Sequence, residues 1–123
     1  MESDDLRTRL RRRLSGALPD QDRPAVSALR NALAALDNAE AVQPEEGLRL
    51  EASEHFAGGV AGLGAAEVQR RVLDAESQRR IVKSEIEARL TAAATYEQHG
   101  QNARAAELRL GVEALLAVLG SSA

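Results

Sequence analysis

No cysteine occurs in the 123 residues, and that absence removes disulfide staples, thiolate nucleophiles and cysteine-based zinc sites together. Aromatic residues are nearly as scarce: there is no tryptophan, one tyrosine and one phenylalanine. Such a core is not filled by bulky rings, and a basic surface in this chain has no aromatics between its cations on which bases could stack. Charge of one sign is also missing, since the formal net charge is -3, so nothing pulls the whole chain toward nucleic acid. No apolar run approaches the roughly 20 residues that span a bilayer, and the acidic start Met1 to Asp5 does not read as a signal peptide. The expected location is the cytoplasm, with no membrane and no DNA among the expected partners.

What is present is helix. Hydrophobic residues make up 44% of the sequence, many of them alanine, which predicts close helix approach in a small all-α bundle of about four to five helices. Read as one domain over 1–123, the chain divides into a helical pair over 3–42, a glycine-rich loop over 43–64, and a short helix with a long helical hairpin over 65–119.

The hairpin is the best patterned part. Ser77 is the expected N-cap of its first arm, in which Val82, Ile86, Leu90 and Ala93 recur on one side, with Glu85 and Arg89 paired along the rim. That arm is expected to end near His99, with Gly100 in the left-handed conformation that helix C-termini favour, and Asn102 is expected to cap the second arm. Along the second arm Leu108, Val112, Leu115, Leu116 and Leu119 form one stripe, and Ala103, Ala106, Leu110, Ala114 and Ala117 gather on nearly the opposite side. One face closes on the first arm; the other needs a neighbour in the chain or in a partner.

Toward the N-terminus, Ser3, Asp4 and Asp5 predict a helix start, and Leu6, Leu10, Leu14 and Leu18 follow at intervals of four. Around them stand Arg7, Arg9, Arg11, Arg12 and Arg13, which form either a phosphate- or partner-binding patch or a solvated face paired with acids elsewhere. Pro19, Asp20 and Asp22 break the helix, and Pro24 is tolerated in the first turn of the next. That second helix turns Val26, Leu29, Leu33 and Leu36 inward and keeps Arg30 and Asn38 on its wet face, ending around Ala39 to Val42.

From Gln43 to Gly64 the pattern is interrupted, with a brief extended stretch allowed near Leu48 and Leu50, and a short helix is expected to follow through about Leu73. Gly62-Leu63-Gly64 lacks the flanking strands of a dinucleotide fold, and His55 and His99 each lack a second ligand at a recognised spacing. No cofactor and no metal are expected. Arg70, Arg71, Arg79 and Arg80 form a second basic cluster, close to Asp74, Glu76 and Glu85 and so expected to pair internally. No nucleophile-base pair or carboxylate pair stands at a catalytic spacing, so the expected function is non-enzymatic.

Val26-Ser27-Ala28-Leu29-Arg30, Ala34-Ala35 and Asn38-Ala39-Glu40 together resemble the signature helix of the YqeY-like (GatB/YqeY) family. The hairpin is similar to that family's as well, through Arg89, Ala93, Tyr96-Glu97, Gly100, Ala105, Leu115 and Leu119, and Glu67 to Arg71 after the glycine-rich insert resembles an actinobacterial branch of uncharacterised members. The resemblance implies an all-helical protein related to the tail of the B subunit of the tRNA-dependent amidotransferase, where the tail helps to hold tRNA and the chemistry lies in other domains. Where the family continues through Tyr-Leu-Pro into a further small helical domain, this sequence reads Val118-Leu119-Gly120. Contacts to tRNA would then fall to Arg7 to Arg13 and the later arginines. The expectation is thus an interaction module that binds a protein partner or self-associates, with a tRNA-binding accessory as the alternative. Candidate contact residues are Arg7, Arg9, Arg11, Arg12, Arg13, Arg30, Asn38, Arg70, Arg71 and Tyr96.

Overall fold

The structure, a computed structural model, describes residues 5–41 and 72–120. The glycine-rich segment, the Leu48 to Leu50 stretch, His55 and the pair Arg70 and Arg71 lie outside the described residues. So does most of the short helix expected before Asp74; Val72 and Leu73 are described and are not helical. Four helices and no strand occur among the described residues: α1 (Leu6–Ala17), α2 (Arg23–Glu40), α3 (Ala75–Gln98) and α4 (Asn102–Gly120). The fold is all-α, and the four helices of the described residues stand within the four to five expected for the whole chain. Of the described residues, 5–36 and 74–120 belong to one compact unit; the second is described only at 37–41, where α2 ends, and at 72–73.

Aspartates start three of the helices. Asp5 accepts from the Thr8 amide at 2.9 Å, Asp22 from the Ala25 amide at 3.3 Å, and Asp74 from the Ser77 amide at 2.7 Å. Ser77 is therefore the third helical residue of α3, not its cap: Asp74 takes the cap because a charged oxygen one turn upstream satisfies the same free amide more strongly. Asn102 is likewise the first residue inside α4, since the Gln101 carbonyl already accepts from the Ala105 amide at 3.1 Å. The cap hydrogen bonds hold the Asp5 and Asp74 carboxyls below the usual carboxylate range. Both caps are fully charged above the range in which an unfolded aspartate titrates. Their contribution is lost as the pH falls through the depressed native value.

Both helical turns close in the same way. After α3, the Gly100 amide donates to Glu97 O at 3.0 Å and the Gln101 amide to Tyr96 O at 2.8 Å; after α1, the Gln21 amide donates to Leu18 O at 3.0 Å and the Asp22 amide to Ala17 O at 3.2 Å. This pair of bonds is the Schellman motif, whose penultimate residue is left-handed, and φ is 77° at Gly100 and 56° at Gln21. At the hairpin the glycine meets the requirement without strain. Gly100→Ala is expected to lower stability by about 1 kcal/mol, read as a fall in the urea midpoint with an unchanged slope.

α4 packs mainly along α3, with α1 and α2 closing the unit. Leu10, Leu29, Leu36, Val82 and Leu115 are its fully buried large side chains. Leu6, Ile86, Val112, Val118 and Leu119 are nearly as well covered, and the core between them is small: Ala17, Ala25, Ala28, Ala32, Ala93, Ala105 and Ala114 are all buried. Gly111 carries the closest approach. A Cβ there would lie 3.0 Å from Ala28 Cβ, 3.1 Å from Pro24 O and 3.2 Å from Arg89 Nη1.

The expected stripes need correction where leucines were spaced by four. Each such step overshoots a full helical turn by about 40°, so a run of them rotates off the core. In α1, Leu6 and Leu10 are buried, Leu14 is half-buried and Leu18 is exposed, while Ala17 returns to the buried side. In α3, Leu90 is 43% exposed and Arg89 is buried in its place. In α4, Leu116 is 52% exposed beside Leu115 at 0%, and Ala114, expected opposite, is buried. The buried side of α4 is one wide arc that includes Gly111, Ala114 and Val118; the apolar residues that remain outside it are Ala103, Ala106, Leu110, Leu116 and Ala117.

Candidate functional site

The arginines of α1 fall on two flanks of the helix. Taking Leu6 as the centre of the buried side, Arg13 sits about 20° away, Arg9 about 60° and Arg12 about 120°, all in one rotational sense, whereas Arg7 and Arg11 lie about 100° and 140° the other way. Arg9, Arg12 and Arg13 come together with Gly16 of α1 and with Ala117 and Val118 of α4 around an open groove of about 400 Å³. That volume is within the roughly 300–1,000 Å³ of ligand-binding clefts. Its floor is apolar and its rim cationic, and no acid is among its described lining residues.

Gly16 has no packing reason to be glycine. It is helical, and a Cβ on it would meet nothing within 4 Å. A glycine inside a helix costs about 1 kcal/mol relative to alanine, and here the missing side chain leaves the groove floor clear.

The other expected contact residues are dispersed. Arg7 is half-buried and Arg11 exposed on the far flank of α1, Arg30 and Asn38 are exposed on α2, and Arg70 and Arg71 lie outside the described residues. Tyr96 is half-buried near the hairpin turn, with the Arg104 guanidinium 5.4 Å from its ring centroid, a cation–π contact within the chain. Glu97 is held in a two-bond pair with Arg109, at 2.9 and 3.1 Å, which ties α3 to α4. That pairing lowers the Glu97 pKa and raises that of Arg109. His99 Nδ1 donates to Thr95 O at 2.9 Å, so this imidazole binds the end of its own helix. Arg79 donates to Leu119 O at 3.4 Å, placing a cation at the negative end of α4 rather than beside the nearby acids.

Arg89 departs furthest from expectation. Instead of pairing with Glu85 along a rim, it is only 9% exposed and reaches Ser27 Oγ at 3.4 Å across α2, and its Nε is buried without a hydrogen-bond partner. Burial pushes its pKa down, and the Glu85 charge partly opposes this. It enters the core because it lies seven residues after Val82, about 20° off that residue's line, whereas Leu90 is about 80° off. A buried cation held by one hydroxyl is poor compensation for lost hydration. Ser27 is exposed and can turn to water, so Arg89→Met is expected to raise stability by about 1 kcal/mol in urea denaturation. A loss of that size instead would mean that the guanidinium is held favourably.

Among the described residues no three His, Asp or Glu side chains stand together as a metal site, and no helix is long and apolar enough to cross a membrane. Compared with protein-family models, with curated proteins and with solved structures, the chain found no match.

Proposed function

We propose that this chain is a non-enzymatic helical interaction module that binds a protein partner, or a second copy of itself, through the outward side of α4. The observation that carries the proposal is the apolar residue left outside on the best-packed helix: Leu110 is 50% exposed and Leu116 52%, with Ala103, Ala106 and Ala117 also exposed. Covering the exposed halves of the two leucines is worth about 1 kcal/mol each, enough to contribute to association without requiring it for folding. Sedimentation equilibrium and affinity capture from a cytoplasmic extract test it, with Leu110→Glu and Leu116→Glu as the variants expected to lose association. A strict monomer that retains no cellular protein would remove the proposal.

The convergence of Arg9, Arg12 and Arg13 favours a second reading, an RNA-binding accessory related to tRNA-dependent amidation. Phosphate contacts make affinity fall steeply with salt. A tRNA gel shift at about 50 mM salt, weakened at about 200 mM and by Arg9→Ala, Arg12→Ala and Arg13→Ala together, is its expected result. No shift at the lower salt would exclude it.

A further inference from the structure

The geometry points to the groove between α1 and α4 as the docking site for an acidic amphipathic helix of a protein partner. One aliphatic side chain of that helix rests on Gly16, Ala117 and Val118, and its flanking carboxylates meet Arg9, Arg12 and Arg13. This rests on the interaction-module reading and adds to it a partner chemistry and a second surface.

Three features of the groove select that occupant. Its floor combines the bare backbone of Gly16 with the aliphatic atoms of Ala117 and Val118, a surface that phosphate groups do not use and an aliphatic side chain does. Among the described residues its rim carries three guanidiniums and no acid, and guanidinium forks match carboxylates two bonds at a time. No aromatic ring is among its described lining residues, so these offer a nucleobase nothing to stack on. Arg9 and Arg12 also interact elsewhere in the chain, so Arg13 is the rim residue on which docking depends most. Exposed ion pairs are individually weak, and it is the apolar anchor among converging cations that makes the site more than a charged surface.

Gly16 supplies a clean test. Space around it is open and its backbone is helical, so Gly16→Leu folds and fills the floor. The probe is a labelled helical peptide with a leucine stripe flanked by glutamates, alongside a twin with lysine for glutamate and a twin with alanine for leucine. Fluorescence anisotropy is expected to show saturable binding of the leucine-glutamate peptide that weakens as salt screens the rim. Each twin is expected to bind at least about tenfold more weakly, and Gly16→Leu and Arg13→Glu are each expected to weaken the first peptide by about tenfold or more, with circular dichroism unchanged. Equal binding of the glutamate and lysine peptides, wild-type affinity in Gly16→Leu, or no binding up to about 1 mM would overturn the inference. So would bulk tRNA or phosphatidylglycerol vesicles binding through Arg13 while the peptide does not. If Leu110→Glu abolishes association and Gly16→Leu leaves every binding unchanged, the groove fails and the module reading stands.

Discussion

Gly111→Leu is expected to lower the stability of the chain by about 3 kcal/mol. Even a methyl group at this position would approach Ala28 Cβ to 3.0 Å and the Pro24 carbonyl to 3.1 Å. Neither neighbour can yield by rotating a side chain: one is an alanine and the other is backbone. The longer leucine must therefore push α2 off α4 or displace Arg89, whose Nη1 lies 3.2 Å from the same point. Alanine is a useful control, because its better helix propensity, about 1 kcal/mol over glycine, offsets much of its steric cost. Urea denaturation of the two variants should give a small change for alanine and a large one for leucine. Equal, small effects would mean that α2 is not held against α4 at this residue.

The second large effect concerns two adjacent leucines. Leu115→Ala is expected to cost about 3 kcal/mol and Leu116→Ala less than about 0.5 kcal/mol. Leu115 is fully enclosed, so its truncation removes transfer free energy and leaves a cavity among alanines that cannot collapse to fill it. Leu116, half in solvent, loses little that water was not already touching. Midpoints from thermal or urea unfolding separate the two at once, and similar losses at both would place Leu116 under cover.

These two leucines also show how far the sequence carries. The hairpin and its turn at Gly100 were legible, because a left-handed glycine is decided by local chemistry, whereas the caps expected at Ser77 and Asn102 fall to Asp74 and Gln101. Which leucines face inward was not read correctly from spacing by four, since small rotational errors accumulate along a helix. Laying Val82 to Ala93 on a helix at about 100° per residue places Arg89 nearer the buried line than Leu90, a signal that a bias against buried charge overrode. Gln21 gave no warning of its left-handed backbone, because the turn is imposed by the hydrogen bonds around it rather than by its side chain. The candidate site was half legible. The wheel of α1 separates Arg9, Arg12 and Arg13 from Arg7 and Arg11, but the apolar floor opposite them comes from α4, more than a hundred residues along the chain, and only the packing of the unit brings it there.

The chain's lack of cysteine makes one measurement unusually direct, because single cysteines can be placed along α4 with no background. Maleimide labelling of the separate variants Leu110→Cys, Val112→Cys, Leu115→Cys, Leu116→Cys and Ala117→Cys tests whether the outward apolar strip is open in the isolated protein. Fast labelling at positions 110, 116 and 117, with strong protection at 112 and 115, is the expected result. Protection at 116 equal to that at 115 in a dilute monomer would show the strip already covered, and would contradict the reading of this surface as one kept for a partner.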